Sequence, residues 1–360
     1  MNAVFPFGLP GPTAFYAALY VLTFVLHAAF MNYVLAGSLY VAWSGIMPGK
    51  GELPRGRQPL AAVLRDWLPF ALSAAITAGV APLLFVQLVY QKHFYTANLL
   101  LSWRWMVLIP ALIAAFYLLY LSKSKAISAW PAVRRNAVGI GAAACFVFAA
   151  FCWTANHLLS SDPDSWADVY LSESVAHLMP DLVPRLLTTI CGSFAAMCAM
   201  AGWQLWWMQT DENRHVLRIE LRRLTLMTTG GLALAGIFAA AYLTRLPNET
   251  IAALTGPFAL PYVALAFVGA VGQTAGWLLQ LLHGGFCRGR LIVVSVSCVL
   301  MLLGMGGVRE AIRLTAIDVR PLYPRHEAAF EVGGFGVFVA TAVVCIGLIA
   351  WCIRLVRSSS

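Results

Sequence analysis

Residues 13–44 contain no Asp, Glu, Lys or Arg, yet they carry His27 at mid-depth, followed by Met31 and Asn32. An ionisable ring inside hydrocarbon is costly unless something satisfies it, which makes it a functional candidate by default. A metal, a haem iron, a proton path or a neighbouring helix would each suffice. From the residues alone, His27 is either a ligand or proton carrier, or a hydrogen-bonded packing residue. Met31 lies one turn further on the same face, so it belongs to the same candidate cofactor contact but cannot ligate one iron from the opposite side.

Two further groups have the right types for chemistry. Gln87, Tyr90, His93, Tyr95 and Asn98 close the second apolar run, and Trp153, Asn156, His157 and Trp166 close the fourth. A quinone head group needs an aromatic slot and one or two polar hydrogen-bonders at the membrane edge. Gln87, Tyr90, His93, Tyr95, Asn156 and His157 are therefore quinone-binding candidates, although Tyr and Trp also form an interfacial belt whatever the function. Arg185, Arg309 and Arg313 sit at the ends of apolar runs, the last two one turn apart and flanking Glu310. Such arginines suit haem propionates or phosphate head groups, or they snorkel to the interface. His177, His215 and His326 are expected to be solvated in loops, and His283 to be interfacial.

The elements that must position these residues follow from composition. The 360 residues are 61% apolar and 11% charged, far below the roughly 25% charge of a soluble domain. The chain is read as one polytopic, all-α membrane domain, 1–360, in contact with lipid. About nine spans are expected, near 13–44, 69–91, 105–122, 137–159, 182–209, 224–244, 257–282, 291–314 and 329–353. The first run is too long for a signal-peptide core and is expected to be retained. With the N-terminus outside, inner segments hold sixteen Lys and Arg, among them Lys50, Arg55, Arg57 and Arg65, against seven on outer segments. That bias predicts an outside N-terminus and an inside C-terminus. The connection 160–180 agrees, being acidic and free of Lys and Arg. The net charge of +9 is a topological signal; basic residues scattered over short loops give nucleic-acid binding no support. The cysteine pairs 145/152, 191/198 and 345/352 read as small apolar residues at helix contacts, and no Cys-x-x-Cys motif is present.

Phe24–Gly37 (FVLHAAFMNYVLAG) resembles the first helix of the catalytic subunit of cytochrome bd quinol oxidases. Phe85–Tyr95 (FVQLVYQKHFY), Asn156–Trp166, Pro184–Leu187 (PRLL) and Val308–Leu314 (VREAIRL) are similar to short bd-like membrane subunits found beside multihaem c-type cytochromes. The resemblance implies that His27 ligates a b-type haem and that the protein resides in a bacterial cytoplasmic membrane. It also implies a second haem histidine just after PRLL, where this chain has Thr188. One haem b, or none, is therefore expected. No long loop separates the sixth and seventh runs and no carboxylate pair lies in the first four, so oxygen reduction is not expected.

The leading expectation is a membrane electron-transfer subunit, oxidising quinol near the outer face and passing electrons through haem to a partner c-type cytochrome or other redox subunit. A cofactor-free anchoring or assembly subunit is the alternative. A solute transporter is a third class, whose mark would be paired broken helices with polar midplane sites.

Overall fold

Inside hydrocarbon a backbone amide finds no water, so a chain this apolar must satisfy its N–H and C=O groups within helices. The computed structural model describes residues 6–46, 59–210 and 212–359. It is all-α, with no strand among the described residues. Its α-helices are α1 (Gly11–Ile46), α2 (Pro59–Val89), α3 (Gln91–Leu101), α4 (Trp103–Lys123), α5 (Lys125–Ser128), α6 (Ala132–Ser160) and α7 (Trp166–Ser172). They continue as α8 (Met179–Trp207), α9 (Arg214–Leu243), α10 (Asn248–Leu254), α11 (Leu260–Leu282), α12 (Arg288–Ala316), α13 (Tyr323–Ala329) and α14 (Phe335–Ser359).

Eight helices are long and apolar enough to cross a membrane: α1, α2, α4, α6, α8, α9, α11 and α12. The ninth expected span is a bent pair, α13 and α14, turned by 60° about the π-helical segment Phe330–Gly334. The chain is thus a multi-pass membrane protein, and large side chains such as Met106, Ile109 and Phe267 face outward where lipid would lie.

Helices outrun the charge-free runs. α2 starts at Pro59 and α9 at Arg214, because the charges in their early turns find partners. Arg65 donates to the Ala61 carbonyl, Asp66 lies 3.6 Å from Lys123, and Arg223 donates to Glu220 at 3.0 Å. Lys50, Arg55 and Arg57 lie outside the described residues. The connection 160–180 is built of two 3-10 turns and α7, and it folds back on α6 through a Trp166 indole N–H to the Leu159 carbonyl. The bundle thus has an acidic end, which carries this connection, and a basic end opposite.

Helices in lipid associate through close packing more than through the hydrophobic effect, and α11 against α12 is the clearest case. A Cβ on Gly304 would fall 2.5 Å from the Tyr262 carbonyl oxygen, and closer still to the Ala266 backbone. Backbone cannot yield as a side chain does. Gly304→Ala should therefore push the two helices apart and destabilise the bundle by about 1–3 kcal/mol. Detergent unfolding of the purified protein would show this as an earlier midpoint.

Candidate functional site

His27 sits on α1 against α2, and the contact explains how the ring is tolerated. Its Nδ1–H donates to the Ala75 carbonyl at 2.9 Å. A Cβ on Gly79, one turn along α2, would come within 2.9 Å of Nδ1 and 3.0 Å of Cε1, so this glycine makes the ring's berth. A carbonyl can only accept, which fixes the proton on Nδ1 and leaves the Nε2 lone pair free. Nε2 makes no hydrogen bond among the described residues. Metal-ligating histidines take this form, one nitrogen donating to a backbone carbonyl while the other binds. Met31 is partly buried one turn away.

Toward the acidic end lies a buried charged network. Glu310 and Arg313, on the last turns of α12, are 0% and 2% exposed, so neither snorkels. Tyr90, closing α2, donates to Glu310 Oε1 at 2.5 Å. Arg313 donates to the Tyr20 hydroxyl at 3.1 Å and to His157 Nδ1 at 2.5 Å, and lies over the Tyr90 ring at 4.8 Å. Arginine has no acceptor, so His157 Nδ1 must carry the lone pair and its proton resides on Nε2. That Nε2, Arg313 Nε and Glu310 Oε2 are all buried without a hydrogen bond. Arg309 caps the Phe24 ring at 4.5 Å, one turn from His27, and Arg185 donates to the Tyr242 hydroxyl at 2.8 Å. Three arginines thus crowd His157 around one buried carboxylate, with Asp181 one turn before Arg185 at the edge. The surplus is positive, as an anionic group would require.

The residues suit a b-type haem on two counts. His27 offers a free Nε2 in the fixed tautomer, and the surplus arginines, with orphaned N–H groups on Arg313 and His157, match propionates. The Thr188 hydroxyl donates to the Pro184 carbonyl, so it is committed to its own helix. Of His27 and Thr188, only His27 would be able to hold the group.

Among the described residues the six quinone candidates have different surroundings. Tyr90 and His157 belong to the charged network. Asn156 donates to Asn98 Oδ1 at 2.6 Å and is consumed there. His93 packs on Trp166 at 5.7 Å, with burial and then Lys92 holding its imidazole below the ordinary histidine range. Tyr95 is exposed. Gln87 lines a cleft opposite α13.

One expectation is overturned outright. His326 is not solvated: it is 1% exposed, and its Nδ1 is 3.0 Å from the Thr13 hydroxyl of α1. The other two loop histidines, His177 and His215, are exposed as expected. Glu220, fully buried beside Arg223 at the basic end, was also illegible, because it stands among basic loop-like residues. Comparison with known proteins gives no match to the chain, neither a family model, nor a curated sequence, nor a solved structure.

Proposed function

We propose that this chain is the membrane electron-transfer subunit of a bd-like redox complex in a bacterial cytoplasmic membrane, oxidising quinol at the acidic end of the bundle, which faces outward. His27 would hold a b-type haem, which would link quinol to a partner c-type cytochrome. The observation that carries this reading is the His27 berth, with Nδ1 committed to Ala75, room made by Gly79 and Nε2 left as a donor. A b-type haem, when bound, supplies a one-electron carrier whose potential the surrounding burial and charge tune.

The chain's own residues do the rest. His27 would ligate the iron, and Arg309 and Arg313 would offset the propionate carboxylates. Oxidation of a quinol releases two protons with its two electrons, and Tyr90, Glu310 and His157 provide protonatable groups at the end where those protons leave. The transporter reading finds less support, since its mark is two corresponding broken helices and among the described residues one bent pair, α13 with α14, is found.

The test is a reduced-minus-oxidised visible spectrum with a pyridine haemochrome assay on the purified protein. Near one b-type haem per chain is expected. A colourless protein from haem-replete cells would overturn the reading in favour of a cofactor-free anchoring subunit.

A further inference from the structure

A cleft of about 140 Å³ opens between the end of α2 and α13, lined by Gln87, Leu88, Gln91, Leu322, Arg325 and His326. That is the scale of a cavity of roughly 150 Å³ known to admit one benzene ring. We infer that this cleft binds a quinone head group, with His326 as its innermost hydrogen-bonding partner. The inference rests on the quinol-oxidising reading above and gives it a location the sequence did not.

His326 is the reason. Its ring is 1% exposed, pinned by Thr13 at Nδ1 and packed on the Tyr16 ring at 5.7 Å. Nε2, on the other edge, makes no hydrogen bond. The Leu88 carbonyl, in the cleft wall, lies beside the ring without reaching hydrogen-bond geometry. A buried imidazole nitrogen left unpaired is uncommon in folded proteins, and here it belongs to a residue that lines an open cleft. Around it, Leu88 and Leu322 supply apolar walls and Gln87 supplies an amide. Gln91 accepts from the Arg325 guanidinium at 3.4 Å, which leaves its amide N–H groups to donate.

Neutral hydrogen-bonders at the edge of an apolar slot match ring carbonyls. A lipid phosphate would call for more cations than the single exposed Arg325. The cleft also adjoins the charged network. Along α1, Thr13 and Tyr16 hold His326, and Tyr20 then meets Arg313. Along α2, Gln87 lines the cleft, and Tyr90, one turn on, bonds Glu310.

The experiment uses the full-length protein in phosphatidylcholine nanodiscs. The probe is 2-heptyl-4-hydroxyquinoline N-oxide, followed by fluorescence quenching and competed by short-chain ubiquinone and menaquinone analogues. His326→Leu should weaken binding about tenfold, and Gln87→Leu about threefold, as expected for lost hydrogen bonds. Leu88→Trp, at a partly exposed position that spares the core, should fill the slot and abolish binding even if His326→Leu fails to fold. Equal binding by wild type, Gln87→Leu and Leu88→Trp would overturn the cleft assignment and leave the quinol reading standing. No binding by wild type would overturn both. Displacement of the probe by phosphatidylglycerol with no competition from either quinone would make the cleft a lipid site and overturn the inference.

Discussion

His27→Ala should strip the b-type absorption band from the purified protein while leaving it inserted and folded. The first half follows from the geometry: His27 holds its proton on Nδ1 toward Ala75, and Thr188 is bonded to its own helix. The second half follows from the partner. The Ala75 carbonyl is already within a helix, so losing the imidazole leaves it no worse than any other helical carbonyl, and removing a polar ring from hydrocarbon favours insertion. Gly79→Ala is the sharper companion. Its Cβ would press on Nδ1 and Cε1, turning the ring off the Ala75 carbonyl without removing the ligand. Disturbing such a supporting hydrogen bond typically weakens retention of a bound metal group about 10–100-fold, so a shifted, partially occupied band is expected. An unchanged spectrum in His27→Ala would remove His27 from the mechanism.

The bundle was legible in the sequence because charge-free runs of span length have few alternatives in a chain this apolar. Its ends were not. Arg65 bonds the Ala61 carbonyl, Asp66 pairs with Lys123 of α4, and Glu220 pairs with Arg223, all within helices where a search for uncharged windows must stop short. His27 could be singled out as a lone polar ring in hydrocarbon, and Arg309 and Arg313 as possible anion partners, since local context suffices for both. What local context cannot show is a partner hundreds of residues away. Thr13 meets His326 across 313 positions, and Tyr90 meets Glu310 across 220. Each histidine or carboxylate in such a pair looks, in its own window, like an ordinary loop or interface residue. The quinone candidates illustrate the complementary point: helix ends at one depth share a level, but depth leaves the direction of each side chain open, and Asn156, His93 and Tyr95 point to three different surroundings.

Arg313→Leu should be among the most destabilising single changes in the protein, costing about 3–5 kcal/mol, the usual penalty for breaking a buried ion pair by removing one partner. The cost is concentrated because one guanidinium serves many groups. Without it Glu310, 3.6 Å away, keeps only the Tyr90 hydroxyl, His157 loses its Nδ1 donor, and the Tyr20 hydroxyl loses a bond. Arg313→Lys should recover little, since a lysine supplies a point charge where the native side chain reaches two residues on different helices. The double variant Arg313→Leu/Glu310→Leu removes both charges together and should recover a substantial part of the single loss. Detergent-induced unfolding of all three variants measures this directly. Losses of under about 1 kcal/mol for the single variant would mean that water reaches the pair and screens it as it does a surface bridge. A large loss that the double variant reverses would establish a dry network. In a dry network the arginine surplus over Glu310 cannot be screened by solvent, so it must be offset by an anion. Added haem should then stabilise the wild type more than an Arg309→Leu variant, which lacks one of the cations facing it.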